Sequence, residues 1–142
     1  MDRKEILELF AGKIHCSQIV VSQWADELGL DKDTALRMAG PFGGGCFHGD
    51  VCGCVAGALM VIGAEYGHFE WGDVEGNQRM IEKISEFKEQ FAERCGSLVC
   101  RELTGFDFSE EGAFEQAEQA GVFVSRCPDY VNAALEILDD IM

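Results

Sequence analysis

The sequence predicts an all-α fold, a single-domain helical bundle of about six to seven helices around one buried central helix at about residues 51–66. Three observations support this prediction. The chain has only two prolines, no long run alternates apolar with polar residues, and several segments carry apolar residues at helical spacing. With 142 residues and a hydrophobic content of 47%, the chain is long enough for its own core. We therefore expect residues 1–142 to form a single all-helical, cysteine-rich domain.

Three helices are predicted before residue 40. The first spans about residues 2–13 and has its apolar side chains on one face. The second spans about residues 16–28 and is followed by Gly29, a suitable residue for the left-handed position after a helix. The third is capped by Asp31 and ends before Pro41, which cannot continue a helix.

The predicted central helix follows a glycine-rich loop over residues 43–49, and Asp50 is its candidate N-cap. The helix is apolar nearly all round as far as about residue 66, so we expect it to be the most buried element. Gly53 and Gly57 lie four residues apart within it, which allows a neighbouring helix to approach closely.

The second half of the chain predicts a long helix and several shorter ones. The long helix is marked by apolar residues at helical spacing with charges on the other face, namely Met80, Ile84, Phe87 and Phe91. It breaks near residues 95–97, and a short helical segment follows over residues 98–103. Ser109 is a candidate cap for a polar helix that ends near residue 120. The last helix begins at Cys127-Pro128, because proline suits the first helical turn.

The charge of the chain narrows the classes of partner. The formal net charge is −15 at pH 7, which argues against a nucleic-acid partner and against docking on anionic lipid. The longest uncharged apolar run, residues 51–64, is short for a membrane span, so we expect no membrane partner. The N-terminus lacks the pattern of a signal peptide, and we expect a cytoplasmic location, where thiols stay reduced. The glycines of the central helix permit a homodimer.

Seven cysteines are the main chemical feature of the chain, and an odd number cannot form a complete disulfide framework. Cys16, Cys52 and Cys127 fall at predicted helix starts, where unpaired backbone N–H groups favour the thiolate. Cys100 lies in the short segment after the long helix. Helices packed around a central helix bring their ends together, so these four thiols can converge on one point.

Two histidines lie close to cysteines in the sequence. His48 lies between Cys46 and Cys52, and it is a candidate metal ligand or proton carrier. His15 adjoins Cys16 and would lower its pKa if the imidazole were protonated. Solvated histidines without a special role are the simpler interpretation of both.

The order of these cysteines resembles the C_GCAxxG_C_C family of redox-active proteins. Its members are about this length and carry four recurrent cysteines with a Cys-Gly-Ala-x-x-Gly motif. The matching positions here are Cys16, the segment Cys52-Gly53-Cys54-Val55-Ala56-Gly57, Cys100, and Cys127 before a proline. The motif alanine is replaced by Cys54, and Cys46 and Cys95 are additional. The resemblance implies a redox-active class and leaves the reaction open.

Our first hypothesis is a thiol redox protein, with thiol oxidoreductase activity as its enzymatic form. Cys52 would attack a disulfide or carry an oxidising equivalent, and Cys16, Cys100 or Cys127 would resolve it. The redox partner, a protein or a small molecule, is unknown. The absence of any C-x-x-C motif argues against thioredoxin-type chemistry.

Two alternatives use the same residues differently. A metal-binding protein would hold zinc or an iron–sulfur cluster, since four thiolates suit either. Its ligands would be Cys16, Cys52, Cys100 and Cys127, supplemented by Cys46, Cys54 or His48. In the other alternative, a structural or interaction module, the cysteines only fill the core, because free cysteine is among the most buried residue types.

Overall fold

The computed structural model describes residues 1–142, and its regular elements are helices linked by turns. Their bounds are α1 Arg3–Ala11, α2 Cys16–Trp24, α3 Lys32–Ala39, α4 Gly53–Tyr66, α5 Val74–Cys95, α6 Cys100–Thr104, α7 Ala113–Gln119, α8 Val122–Ser125 and α9 Cys127–Ile141. A single 3-10 turn, Gly40–Phe42, follows α3. The all-α fold class predicted from the sequence is confirmed. None of the helices has the length and apolarity needed to cross a membrane.

Helix α4 is the central element, as its composition predicts. It packs against α2, α5 and α9, and its core side chains include Val55, Ala58 and Ile62. Gly57 makes the contact with α2 possible, because a Cβ at this position would lie 2.7 Å from the Ser17 carbonyl oxygen. The close approach expected from the glycine spacing is therefore present on the α2 side.

A second, smaller apolar cluster is separate from the main core. It contains the buried Phe108 and Cys100, with Phe106, Phe114 and Phe123 packed against it. Helices α6, α7 and α8 are only four to seven residues long. All three contribute buried residues to this cluster, which packs them together. It lies at the end of the molecule where α6 and α9 begin.

Three predicted boundaries were wrong. Helix α4 is capped by Cys52 and not by Asp50, because the Asp50 N–H instead closes the preceding loop by donating to the Gly45 carbonyl oxygen. Ser109 does not cap α7, because it lies three residues before the actual cap position, Gly112. Its hydroxyl and N–H both donate to the Asp107 carboxylate instead. Helix α2 ends at Trp24, four residues early, in a turn that Gly29 completes with φ +69°.

Candidate functional site

Four cysteines mark the starts of four helices. Cys16, Cys100 and Cys127 are the first residues of α2, α6 and α9, and Cys52 is the N-cap of α4. All four line one cavity of about 440 Å³, and Cys54 lines it too. The convergence of thiols that helix packing predicts is therefore found, at the end of the bundle where α4 begins.

The Cys16 sulfur lies directly against the start of α4. A Cβ at Gly53 would be only 2.4 Å from Cys16 Sγ, so only glycine leaves room for this sulfur. The next residue, Cys54, is buried within the first turn of α4. Cys52, Cys54 and Cys16 thus form a cluster of three neighbouring thiols, two from α4 and one from α2.

The environment of Cys16 favours its thiolate. A hydrogen bond with the Cys54 thiol is the main cause that lowers the pKa of Cys16, and burial opposes it. The backbone N–H groups of Gly44, Ser17 and Cys16 itself also lower this pKa. Such donors stabilise a thiolate in the way that the unpaired N–H groups of a helix start do.

Cys54 has the complementary character. Its hydrogen bonds with Cys16 and with Cys52, together with burial, raise the pKa of Cys54 well above the ordinary value. Cys54 therefore keeps its proton and supplies the hydrogen bond that Cys16 accepts. The pair combines a partly buried cysteine whose pKa is lowered with a buried cysteine whose pKa is raised.

Cys100 and Cys127, which also line the cavity, remain protonated at neutral pH. Burial raises the pKa of Cys100 to about 12, and burial also raises the pKa of Cys127. Cys95 lies outside the cavity, in a surface cleft with Tyr130, and burial raises its pKa to about 11. These thiols are poor nucleophiles until a partner or a structural change activates them.

A short antiparallel bridge between Val51 and Val99 fixes Cys52 relative to Cys100. The Cys52 N–H donates to the Leu98 carbonyl oxygen at 2.8 Å, and the Cys100 N–H donates to the Asp50 carbonyl oxygen at 2.6 Å. Backbone hydrogen bonds therefore fix the positions of these two helix-start cysteines relative to each other.

Aromatic side chains form one wall of the cavity. The rings of Phe108, Phe114 and Phe123 lie within 4.5 to 6.1 Å of one another, centroid to centroid. The ring of Phe47 stacks on Phe114 at 5.7 Å and meets His15 edge-on at 4.9 Å. No sequence pattern predicts this wall, because its residues come from separate short segments without a periodic spacing.

The histidines contribute less than their sequence positions indicate. Burial, and then the charge of Lys13, lower the pKa of His15, so the imidazole is neutral at pH 7 and adds no positive charge beside Cys16. His48 and Cys46 are exposed on the loop and do not line the cavity. The N–H donors of Gly44 and Ser17 were not predicted from the sequence, although the glycine run at residues 43–45 indicated a close backbone approach there.

The potential metal ligands do not come together around one point. No three of the cysteine, histidine, aspartate and glutamate side chains are arranged to hold one metal ion. Cys16, Cys52, Cys100 and Cys127 share the cavity without forming a ligand shell, and we derive no step through a metal.

The fold and this cavity define an all-helical, cysteine-rich protein with a cluster of helix-start thiols. Residues 14–141 match the family model described as "Putative redox-active protein (C_GCAxxG_C_C)", and the chain belongs to this family. No curated protein and no solved structure matches the chain. Membership confirms the general redox role expected from the order of the cysteines.

Proposed function

We propose that this protein is a thiol redox protein whose working couple is Cys16 and Cys54. One observation carries the proposal. The Cys16 sulfur lies against Gly53 at the start of α4, beside the buried Cys54, and both cysteines line a cavity that can admit a reactant. Hydrogen bonding to Cys54 and to backbone N–H groups lowers the pKa of Cys16. A stabilised thiolate next to a second thiol is the arrangement that disulfide exchange needs.

The couple would react with a disulfide in two steps. The Cys16 thiolate attacks one sulfur of the incoming disulfide, whose S–S bond breaks and releases one thiolate, which takes up a proton. Cys54 then loses its proton and attacks Cys16 Sγ, which breaks the mixed disulfide and releases the second thiol. The products are one Cys16–Cys54 disulfide and two substrate thiols, so the two electrons and two protons balance.

This assignment differs from the sequence-based hypothesis, in which Cys52 was the leading nucleophile. The support for Cys16 is the position of its sulfur at the start of α4, together with the hydrogen bonding that lowers its pKa. Cys52 stays in the proposal as the neighbour that hydrogen-bonds to Cys54. Cys100 and Cys127 would react only after the Cys16–Cys54 disulfide has formed, because their raised pKa values make them slow nucleophiles. Either can then exchange with that disulfide.

The test is the reaction of the reduced, oxygen-free protein with bis(2-hydroxyethyl) disulfide, quenched with acid and mapped by mass spectrometry. We expect a Cys16–Cys54 disulfide in the unchanged protein. In Cys16→Ser the rate should fall by a factor of at least about ten. Cys54→Ser should stop at a mixed disulfide on Cys16. Cys46→Ser is the control, because Cys46 is exposed and lies outside the cavity. An unchanged rate in Cys16→Ser would contradict the proposal.

Location and partners complete the proposal. A working dithiol fits the reducing cytoplasm, which we propose as the location. The redox partner can be a protein or a small molecule, and the size of the cavity favours the small molecule. The molar mass measured in solution distinguishes a monomer from the homodimer that the sequence permits.

A further inference from the structure

The cavity beside the thiol pair has the dimensions of a ligand site. Its volume of about 440 Å³ falls within the roughly 300–1,000 Å³ of small-molecule sites. Fifteen of its 21 lining residues are hydrophobic. The exposed Ala11, Lys13, Glu118 and Val124 lie on its border, so the cavity can be reached from the surface.

The hydroxyl groups of the cavity already bond to the protein. The Tyr130 hydroxyl donates to the Leu103 carbonyl oxygen at 2.9 Å, and the Thr104 hydroxyl donates to the Cys100 carbonyl oxygen at 2.8 Å. No buried side-chain nitrogen or oxygen in the structure lacks a hydrogen-bond partner. A ligand rich in polar groups would lose its hydration here without replacement, which disfavours it.

Charge excludes a further class of reactant. Lys13 and Glu118 are the charged residues of the lining, they are opposite in sign, and both are exposed. The whole chain carries a formal net charge of −15. An anionic reactant, such as a peptide thiol with free carboxylates, would be repelled and would find no buried cation. The lining also has no buried carboxylate to pair with a cation, so an uncharged occupant fits this cavity best.

The wall formed by Phe108, Phe114 and Phe123 indicates the shape of the occupant. Three phenyl rings within 6.1 Å of one another offer faces and edges on which a flat ring packs with favourable geometry. The thiol pair borders the same space, because Cys16 and Cys54 are both lining residues. The cavity thus combines an aromatic surface with a two-electron reductant.

We propose that the cavity binds an uncharged aromatic quinone and that the Cys16–Cys54 dithiol reduces it. This inference rests on the proposed function and names its oxidant. The two thiols lose two electrons and two protons and form one S–S bond. The quinone gains both electrons and both protons, and its two carbonyl groups become the two hydroxyl groups of the hydroquinone.

The experiment uses the reduced full-length protein and tetramethyl-1,4-benzoquinone under argon. This quinone has no free ring position, so it cannot form a simple thioether with a thiol. Quinone consumption is followed by absorbance and the protein disulfide by mass spectrometry. Ala11→Trp narrows the cavity from an exposed border position, and Ala64→Trp is the matched control on an exposed face of α4 outside the cavity.

We expect quinone reduction that saturates with quinone concentration and yields one Cys16–Cys54 disulfide per hydroquinone. The rate should fall about tenfold in Ala11→Trp and stay unchanged in Ala64→Trp. Reduction no faster than that by free dithiothreitol, together with normal reaction of bis(2-hydroxyethyl) disulfide, would overturn this inference and leave the proposed function standing. Failure of both oxidants to produce the Cys16–Cys54 disulfide would overturn both.

Discussion

Gly53 gives the Cys16 sulfur its position at the start of α4: a Cβ at residue 53 would lie 2.4 Å from Cys16 Sγ and 2.9 Å from the Phe42 carbonyl oxygen. Real Cβ atoms do not approach other atoms so closely, so either the sulfur or the backbone would have to move. The glycine is needed for space and not for an unusual backbone angle, because residue 53 has no positive φ. The reactivity of Cys16 therefore depends on a residue that carries no functional group.

Gly53→Ala tests this dependence. The added methyl group should displace Cys16 Sγ, lower the unfolding free energy by about 1–3 kcal/mol and slow the reaction with a disulfide reagent. Urea unfolding and stopped-flow measurements check the two effects. Gly63→Ala is the matched control, because it lies in the same helix and its Cβ would meet no atom within 4 Å. That variant should gain about 0.5–1 kcal/mol from the helix preference of alanine. A stable, fully reactive Gly53→Ala would contradict the role of this contact.

The loop before α4 contains a left-handed turn with two residues that are not glycine. Cys46 has φ +60° and Phe47 has φ +52°, next to Gly44 and Gly45, which also have positive φ. This conformation costs a residue with a Cβ about 1–2 kcal/mol relative to glycine. Cys46 is exposed, so its side chain contributes little packing in return.

Cys46→Gly should therefore stabilise the protein by about 0.5–1 kcal/mol, partly offset by the greater freedom of glycine in the unfolded chain. Chemical denaturation of both reduced proteins measures the difference. Cys46→Ala keeps a Cβ while it also removes the thiol, so it should show no such gain. Equal stabilities of the glycine and alanine variants would show that the left-handed turn is not strained.

The helical class and the central position of α4 could be predicted because composition and periodicity act over many residues. The positions of Cys16 and Cys127 at helix starts could also be predicted, since caps and proline leave local signals. The N-cap of α4 could not, because the Asp50 N–H bonds to Gly45 within the preceding loop. The pairing of Cys16 with Cys54 depends on the packing of α2 on α4, which no spacing along the chain encodes.

The pH profile of alkylation tests the hydrogen bond between Cys16 and Cys54. Because the pKa of Cys16 is lowered, its thiolate persists at pH values where an ordinary thiol is protonated. Its reaction with iodoacetamide, resolved by site with mass spectrometry, should have a midpoint below that of N-acetylcysteine. Cys54→Ala removes the largest cause of the shift and should move the midpoint upward. A midpoint that does not move would contradict Cys54 as the donor.

The buried thiol of Cys100 should make the protein lose stability in alkali. Because burial raises its pKa to about 12, the folded state holds this proton more tightly than the unfolded chain, whose thiols have a pKa of about 8.5. The contribution to stability is fully present below pH about 8.5 and is lost as the pH rises towards about 12. Cys54, Cys95 and Cys127 act in the same direction, so the effect of Cys100 has to be measured as a difference between variants.

Urea unfolding of the reduced protein at pH 7.5 and pH 10.5 measures that difference. Cys100→Ala should be less stable at pH 7.5, because it leaves space in the aromatic cluster. Its further loss of unfolding free energy at pH 10.5 should be about 1–3 kcal/mol smaller than that of the unchanged protein. Cys46→Ala removes an exposed thiol and should show no such reduction. If Cys100→Ala loses as much stability in alkali as the unchanged protein, deprotonation of Cys100 is not coupled to unfolding, and its thiol titrates in the folded state as it does in the unfolded chain.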